Sequence, residues 1–142
     1  MNNQKRPLAT LAGGITLFLL GYLFYGLLLA DFFKQHTVSP IGSMKTMGEI
    51  VWWAMIVGNL AGGALLTYIF LKIGNILSFT SGVKTGAVIG LFMSLSLCLI
   101  AYSTQNNFDL TGMFTDVAVR ALLNAIAGGV IAVVLRGGAK KA

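Results

Sequence analysis

LATLAGGITLFLLGYLFYGLLLA, residues 8–30, carries no charged side chain from end to end. A helix needs roughly 20 apolar residues to cross a hydrocarbon core of about 30 Å, and this stretch supplies them. Three more apolar runs of that length follow, at about 50–71, 83–102 and 113–135. Of the 14 charged residues, 11 lie outside these runs, in the links 31–49, 72–82 and 103–112 and in the two flanks, and the links also carry the Asn, Ser and Gly expected of turns. The pattern predicts a single all-α membrane domain of four spanning helices in an antiparallel up-down bundle.

Composition points the same way. Of 142 residues, 56% are hydrophobic and only 10% are charged, against about 25% charged in soluble domains. A water-soluble fold could not cover that much apolar surface. The net charge of +6 raises nucleic acid as a partner, yet the basic residues sit in small groups beside apolar runs and form no stripe interleaved with aromatics. The bilayer is the partner implied, and nucleic acid is not. Cys98, the single cysteine, leaves no intrachain disulfide and reads as a small buried packing residue. The first run follows Lys5 and Arg6 as a secretion signal would, but its about 23 residues exceed the 7 to 15 of a signal core. It is expected to be retained, with Pro7 at the first helical position, where its missing N–H costs nothing.

Lysine and arginine in short loops resist translocation and so set orientation. With four spans, Lys5, Arg6, Lys72, Lys84, Arg136, Lys140 and Lys141 fall on one side. The other side receives Lys34 and Lys45, set against Asp31, Glu49 and Asp109. Both termini are therefore expected in the cytoplasm.

Lipid tails are as apolar as leucine, so spanning helices associate by close backbone approach and interhelical polar contacts. Span three has an unbroken four-residue row of small residues, Gly82, Gly86, Gly90, Ser94 and Cys98. Span two offers Ala54, Gly58 and Gly62. Span four offers Ala121, Ala125 and Gly129 beside Asn124, Gly128 and Ala132. Neither Pro7 nor Pro40 interrupts a span, so the broken helices of many transporters are not indicated. "GNLAGGALL" in span two and "LNAIAGGVIA" in span four each place an asparagine before Ala-Gly-Gly, and "GGITLFL" in span one parallels "AVIGLFM" in span three. These words fit two repeated hairpins in the same topology, and they equally fit the chance recurrence of short apolar words.

Ionisable groups within a span cost free energy and are functional candidates by default. Arg120 is one, about six residues inside span four, or roughly 9 Å. Asp116 and Asn124 lie four residues to either side and share its helix face. Near a helix start the macrodipole favours Asp116 and disfavours Arg120, so Arg120 needs a carboxylate, either Asp116 or Glu49. Asp31, Glu49 and Asp116 fall at the same outer level, with Trp52, Trp53, Tyr22 and Tyr25 close by and Asn59 and Asn124 placed to bond across helices further in. This makes a candidate polar cluster of one cation, three carboxylates and an aromatic wall. The same residues also fit an interfacial aromatic belt, a snorkelling arginine and capping acids. His36 stands in a loop with no spaced ligand beside it, so it is not expected to hold a metal.

Chemistry finds little else. Metal-ligand pairs and a G-x-S-x-G elbow are missing, and "GVKTG" at 82–86 lacks the first half of a phosphate loop. Ser94 and Ser96 have no nearby base. No cofactor signature is present, and enzyme is the least favoured class.

"ITLFLLGYLFYGLLLADFF", with Gly21, Phe24, Tyr25 and Asp31, resembles the opening span of a bacterial family of small four-span membrane proteins, a domain of unknown function. "NFDLTGMFTDVAVRALLNAIAGGVIAVVL" resembles that family's last span. A tryptophan that often precedes the family's tyrosine is replaced here by Phe24. The resemblance implies the four-span architecture and the bacterial cytoplasmic membrane, and it implies no activity. The reading is a non-enzymatic bundle that associates with itself, through span three or span two, or with other membrane proteins. The alternative is an oligomeric transporter or channel for a small solute or ion, using the Arg120 cluster.

Overall fold

The computed structural model describes residues 4–38, 47–74, 76, 78–105 and 107–137. Pro40, Lys45, Lys140 and Lys141, used above, lie outside the described residues. The elements are α1 (Lys5–Gly21), which runs on as a π-helix over Tyr22–Leu28, a short α2 (Ala30–Gln35), a 3-10 turn (Met47–Glu49), α3 (Trp52–Ile73), α4 (Phe79–Thr104) and α5 (Leu110–Arg136). Four helices, Lys5–Leu28, Trp52–Ile73, Phe79–Thr104 and Leu110–Arg136, are long and apolar enough to cross a membrane. The chain is an all-α, multi-pass membrane bundle.

The links are shorter than the charge pattern implied, because local caps pull polar residues into the helices. Ser78 accepts from the Ser81 N–H at 3.1 Å, and the Ser81 hydroxyl accepts from the Ser78 N–H at 3.2 Å. This capping box starts α4 at Phe79, several residues before the apolar run. Asp109 accepts from the Gly112 N–H at 2.7 Å and starts α5 at Leu110 in the same way. Gly74, with φ of 67°, closes α3 in a backbone conformation that favours glycine. Within 31–49, read from the sequence as a loop, the chain breaks at Leu29 and resumes as α2 up to Gln35.

The last helix is the centre of the bundle. α5 packs along α4 on one side and along α1 on the other, and α1 packs in turn on α3. Across the bundle the order is therefore α3, α1, α5, α4. Consecutive helices α3 and α4 share no substantial contact among the described residues. Ala127, Ile131 and Ala132 of α5 are fully buried.

Small residues set these distances. A Cβ on Gly82 would strike the Gly128 carbonyl, and one on Gly86 would strike the Asn124 carbonyl. Gly90 seats the Asn124 side chain, and Ser94 lies buried beyond it in the same row. Gly129 faces Phe79 and Val83. On α1, Gly13 looks toward α5, where Ile131 Cδ1 lies 2.5 Å from the position a Cβ would take, while Gly14 looks toward Leu60 and the Asn59 carbonyl of α3. Adjacent glycines thus serve two different neighbours. The row on span three, offered above as a dimer surface, is consumed inside the chain against α5. Gly62 meets Leu17 of α1, but Gly58 has nothing within 4 Å of a Cβ.

The two hairpins, α1 with α3 and α4 with α5, use matching contacts. Gly63 and Gly128 each follow an asparagine by four residues, and each abuts the backbone of its partner helix, at Thr10 and Gly14 or at Gly82 and Gly86. Asn59 donates to the Met55 carbonyl and Asn124 to the Arg120 carbonyl, both at 2.8 Å and both one turn back. These contacts align Gly14 with Gly86, whereas the shared words in spans one and three would align Gly14 with Val88. The repeat therefore lies in the packing glycines, and that pair of words is out of register with it. Lys5 Nζ lies 3.2 Å from a Cβ position on Gly137, so the start of α1 and the end of α5 share one end of the bundle, here the proximal end.

Gly86→Leu should lower stability by about 3 kcal/mol or more, because backbone cannot yield as a side-chain tip can. Gly58→Leu, with nothing beside it in the chain, should change the stability of the dissociated single chain by less than about 0.5 kcal/mol. Denaturation of the two variants in detergent micelles tests the contrast, and equal losses would contradict the packing.

Candidate functional site

At the opposite, distal end, Asp116 is the one carboxylate within a spanning helix among the described residues, about 9 Å along α5 from Leu110. Its side chain is 7% exposed. A buried carboxylate needs donors, and three helices supply them. Tyr25, on the π-helical segment, donates its hydroxyl to Oδ1. Arg120 Nε donates to Oδ2 at 2.9 Å, and the Cys98 thiol donates to Oδ2 at 3.3 Å. An ionised carboxylate offers about four lone-pair sites, so these donors nearly saturate it.

The segment bearing Tyr25 departs from α-helical winding over Tyr22–Leu28, a feature that often marks functional positions. Leu29 N–H closes it on the Phe24 carbonyl at 2.8 Å. The aromatic ring of Tyr25 is held by Phe33 of α2 at a centroid distance of 5.3 Å, and Phe33 in turn by Phe108 at 5.3 Å. Phe33 is fully buried. An aromatic plug thus fixes the phenol that faces Asp116.

Above the plug, residues 36–38 and 107–109 clasp each other. Val38 N–H donates to the Asn107 carbonyl at 3.2 Å, and Asp109 N–H donates to the His36 carbonyl at 2.9 Å. His36 Nδ1 donates to Asp109 Oδ2 at 2.6 Å, and its ring stacks on Phe32 at 4.3 Å. His36, read from the sequence as solitary, has a carboxylate partner, because two distant loops converge on the start of α5. The Gly112 N–H and the His36 ring hold the Asp109 carboxyl below the ordinary carboxylate value.

The expected cluster is only partly assembled. Arg120 and Asp116 pair as an i, i+4 couple, and among the described residues this is the ion pair Arg120 makes. Asp31 is exposed on α2, Glu49 is exposed on the 3-10 turn, and Trp52 and Trp53 are exposed at the start of α3. Asn59 and Asn124 bond within their own helices and not across helices. Tyr25, expected in the aromatic wall beside the cluster, is a direct donor to Asp116, a contact that depth along span one does not reveal. Cys98 was missed as a member of the site, although it had a signal, since it ends the small-residue row that faces α5.

Beside the pair lies a recess of about 280 Å³, between Leu97–Tyr102 of α4 and Met113–Arg120 of α5 and beneath Phe108. The Arg120 side chain is half exposed, and its two terminal NH2 groups have no hydrogen-bond partner among the described residues. Toward the proximal end, α4 and α5 close in backbone contact, so the recess is blind there. The described residues hold no group of three His, Cys, Asp or Glu placed for a metal ion. No protein-family model, curated protein or solved structure matches the chain, so the site rests on its own geometry.

Two outcomes are expected. Tyr25→Phe removes one donor from a buried carboxylate and should cost about 1–3 kcal/mol, read as a lowered denaturation midpoint in detergent. Asp109, whose folded pKa is depressed, stabilises the clasp above the ordinary carboxylate value of about 3.9 and loses that contribution as pH falls through the lower folded value. Amide exchange at Val38 and Asp109, corrected for intrinsic rates, should therefore accelerate below about pH 4, and His36→Ala should accelerate it already at neutral pH.

Proposed function

We propose that this chain is a non-enzymatic bundle of the bacterial cytoplasmic membrane, with both termini inside, that works by association: with a second copy or as a small subunit of a larger membrane assembly. The observation that carries this reading is the open small-residue face of α3. Ala54 and Gly58 are exposed, a Cβ on Gly58 meets nothing, and α4 does not close the bundle beside α3. Gly21 of α1 is also open, but it is not part of a small-residue row, and Gly13, Gly14, Gly62, Gly63, Gly82, Gly86, Gly90, Gly128 and Gly129 each meet a neighbour. Within lipid, such a face is what lets a partner backbone approach closely. Span two, and not span three, is thus the surface that remains.

The orientation follows from Lys5, Arg6, Lys72, Lys84 and Arg136 on the side of the bundle where the chain starts and stops. The absence of catalysis is supported by the polar cluster itself, whose carboxylate is engaged by three donors and whose thiol is committed as a donor. Movement of a solute through one chain is disfavoured by the blind recess.

Size-exclusion with light scattering in mild detergent tests the association. Gly58→Leu should reduce the mass to that of a single chain while leaving the helical signal intact, and an unchanged oligomer would refute the α3 surface.

A further inference from the structure

The recess beside Arg120 presents one charged group whose donors are not all met among the described residues. Asp116 is buried and supplied with donors by Tyr25, Cys98 and Arg120 itself. Arg120 spends Nε on that carboxylate, which restrains the guanidinium, and its terminal NH2 groups have no hydrogen-bond partner among the described residues. The accessible polar group is therefore a pre-oriented donor fork, and its complement is an anion with two acceptor oxygens. Apolar walls are supplied by Leu97, Ala101 and Met113 with Phe108 above, and Tyr102 and Asn107 add polar atoms at the edge.

Position narrows the anion further. The Arg120 side chain reaches back one turn to Asp116, toward the distal end, so the fork lies about two helical turns from the start of α5. Leu97 and Tyr102 are 60% and 47% exposed, which continues the wall of the recess onto the lipid-facing side of α4. A free inorganic anion would gain nothing from those walls. An amphiphile would bury its first carbons against them while its oxygens met the fork.

We propose that this recess binds the phosphate headgroup of an anionic membrane lipid, with the phosphate oxygens on the Arg120 fork and the glycerol and first methylenes against Leu97, Ala101 and Met113. Asp116 and Tyr25 act as positioning residues that hold the fork toward the lipid. The site is formed by α4 and α5 of one chain and does not depend on the α3 association.

The test is native mass spectrometry of the detergent-solubilised protein titrated with dioleoylphosphatidylglycerol and, separately, dioleoylphosphatidylcholine. One phosphatidylglycerol per chain should bind at least about tenfold more tightly than phosphatidylcholine, the scale of a charge-assisted pair. Arg120→Gln should abolish that preference. Ala101→Phe, which fills the recess and leaves the Arg120–Asp116 pair in place, should weaken phosphatidylglycerol about tenfold with helical content unchanged. Equal binding of the two lipids, or a preference that survives Ala101→Phe, would overturn the proposal. Displacement of the lipid by excess inorganic phosphate would overturn it too, by assigning the fork to a free anion.

Discussion

In hydrocarbon there is no water for an apolar side chain to escape, so helix association rests on how closely two backbones can approach. Here that approach is concentrated on one helix. Gly128 and the Asn124 carbonyl of α5 lie directly against Gly82 and Gly86 of α4, while Ile131, one turn on, seats in the gap left by Gly13 of α1. Every other arrangement in the bundle is referred to α5. Only α3 is held mainly at second hand, through Gly14 and Gly63 on α1.

That packing divides the bundle along its length. Near the proximal end α4 and α5 touch through backbone, which leaves no space. Near the distal end the contact passes through side chains, Leu95 and Cys98 with Met113 and Val117, and the helices stand far enough apart to admit a carboxylate and its donors. The polar site exists because the glycine row gives way there to larger residues. Once Asp116 is drawn inside, Tyr25 and Arg120 become obligatory, since an unpartnered buried charge is far more costly than a partnered one. The aromatic plug and the His36–Asp109 clasp then hold the phenol and the start of α5 in place.

Most of the architecture was legible in the sequence for the same reason. Length and hydropathy reveal spans, and four-residue rows of small side chains reveal faces, because both are properties of one helix at a time. The pairing of Arg120 with Asp116 was legible too, being a relation within one helix. What failed were the relations between helices. A row such as Gly82 to Cys98 does not say whether its neighbour is α5 or a second chain. Glu49 and Asp31 were expected at the depth of Arg120, but they lie exposed on the 3-10 turn and on α2, and the partner of Arg120 is Asp116. Tyr25 was expected beside the cluster, but its bond to Asp116 is made from a π-helical segment that no residue pattern announces. His36 and Asp109 meet because two loops distant in sequence fold over the same helix start.

The central position of α5 also bears on how the molecule is made. Of the four spanning helices it is the last to leave the ribosome, and the three before it are joined to one another only by the α1 and α3 contact. During synthesis α4 enters the bilayer without its glycine row covered, and Tyr25 waits without Asp116. Assembly is thus deferred until the final segment partitions into lipid, when a single insertion event fills the Gly13 and Gly82 to Gly90 faces together. A nascent chain halted before Leu110 would leave behind one hairpin and one helix whose glycine row has no partner within the chain.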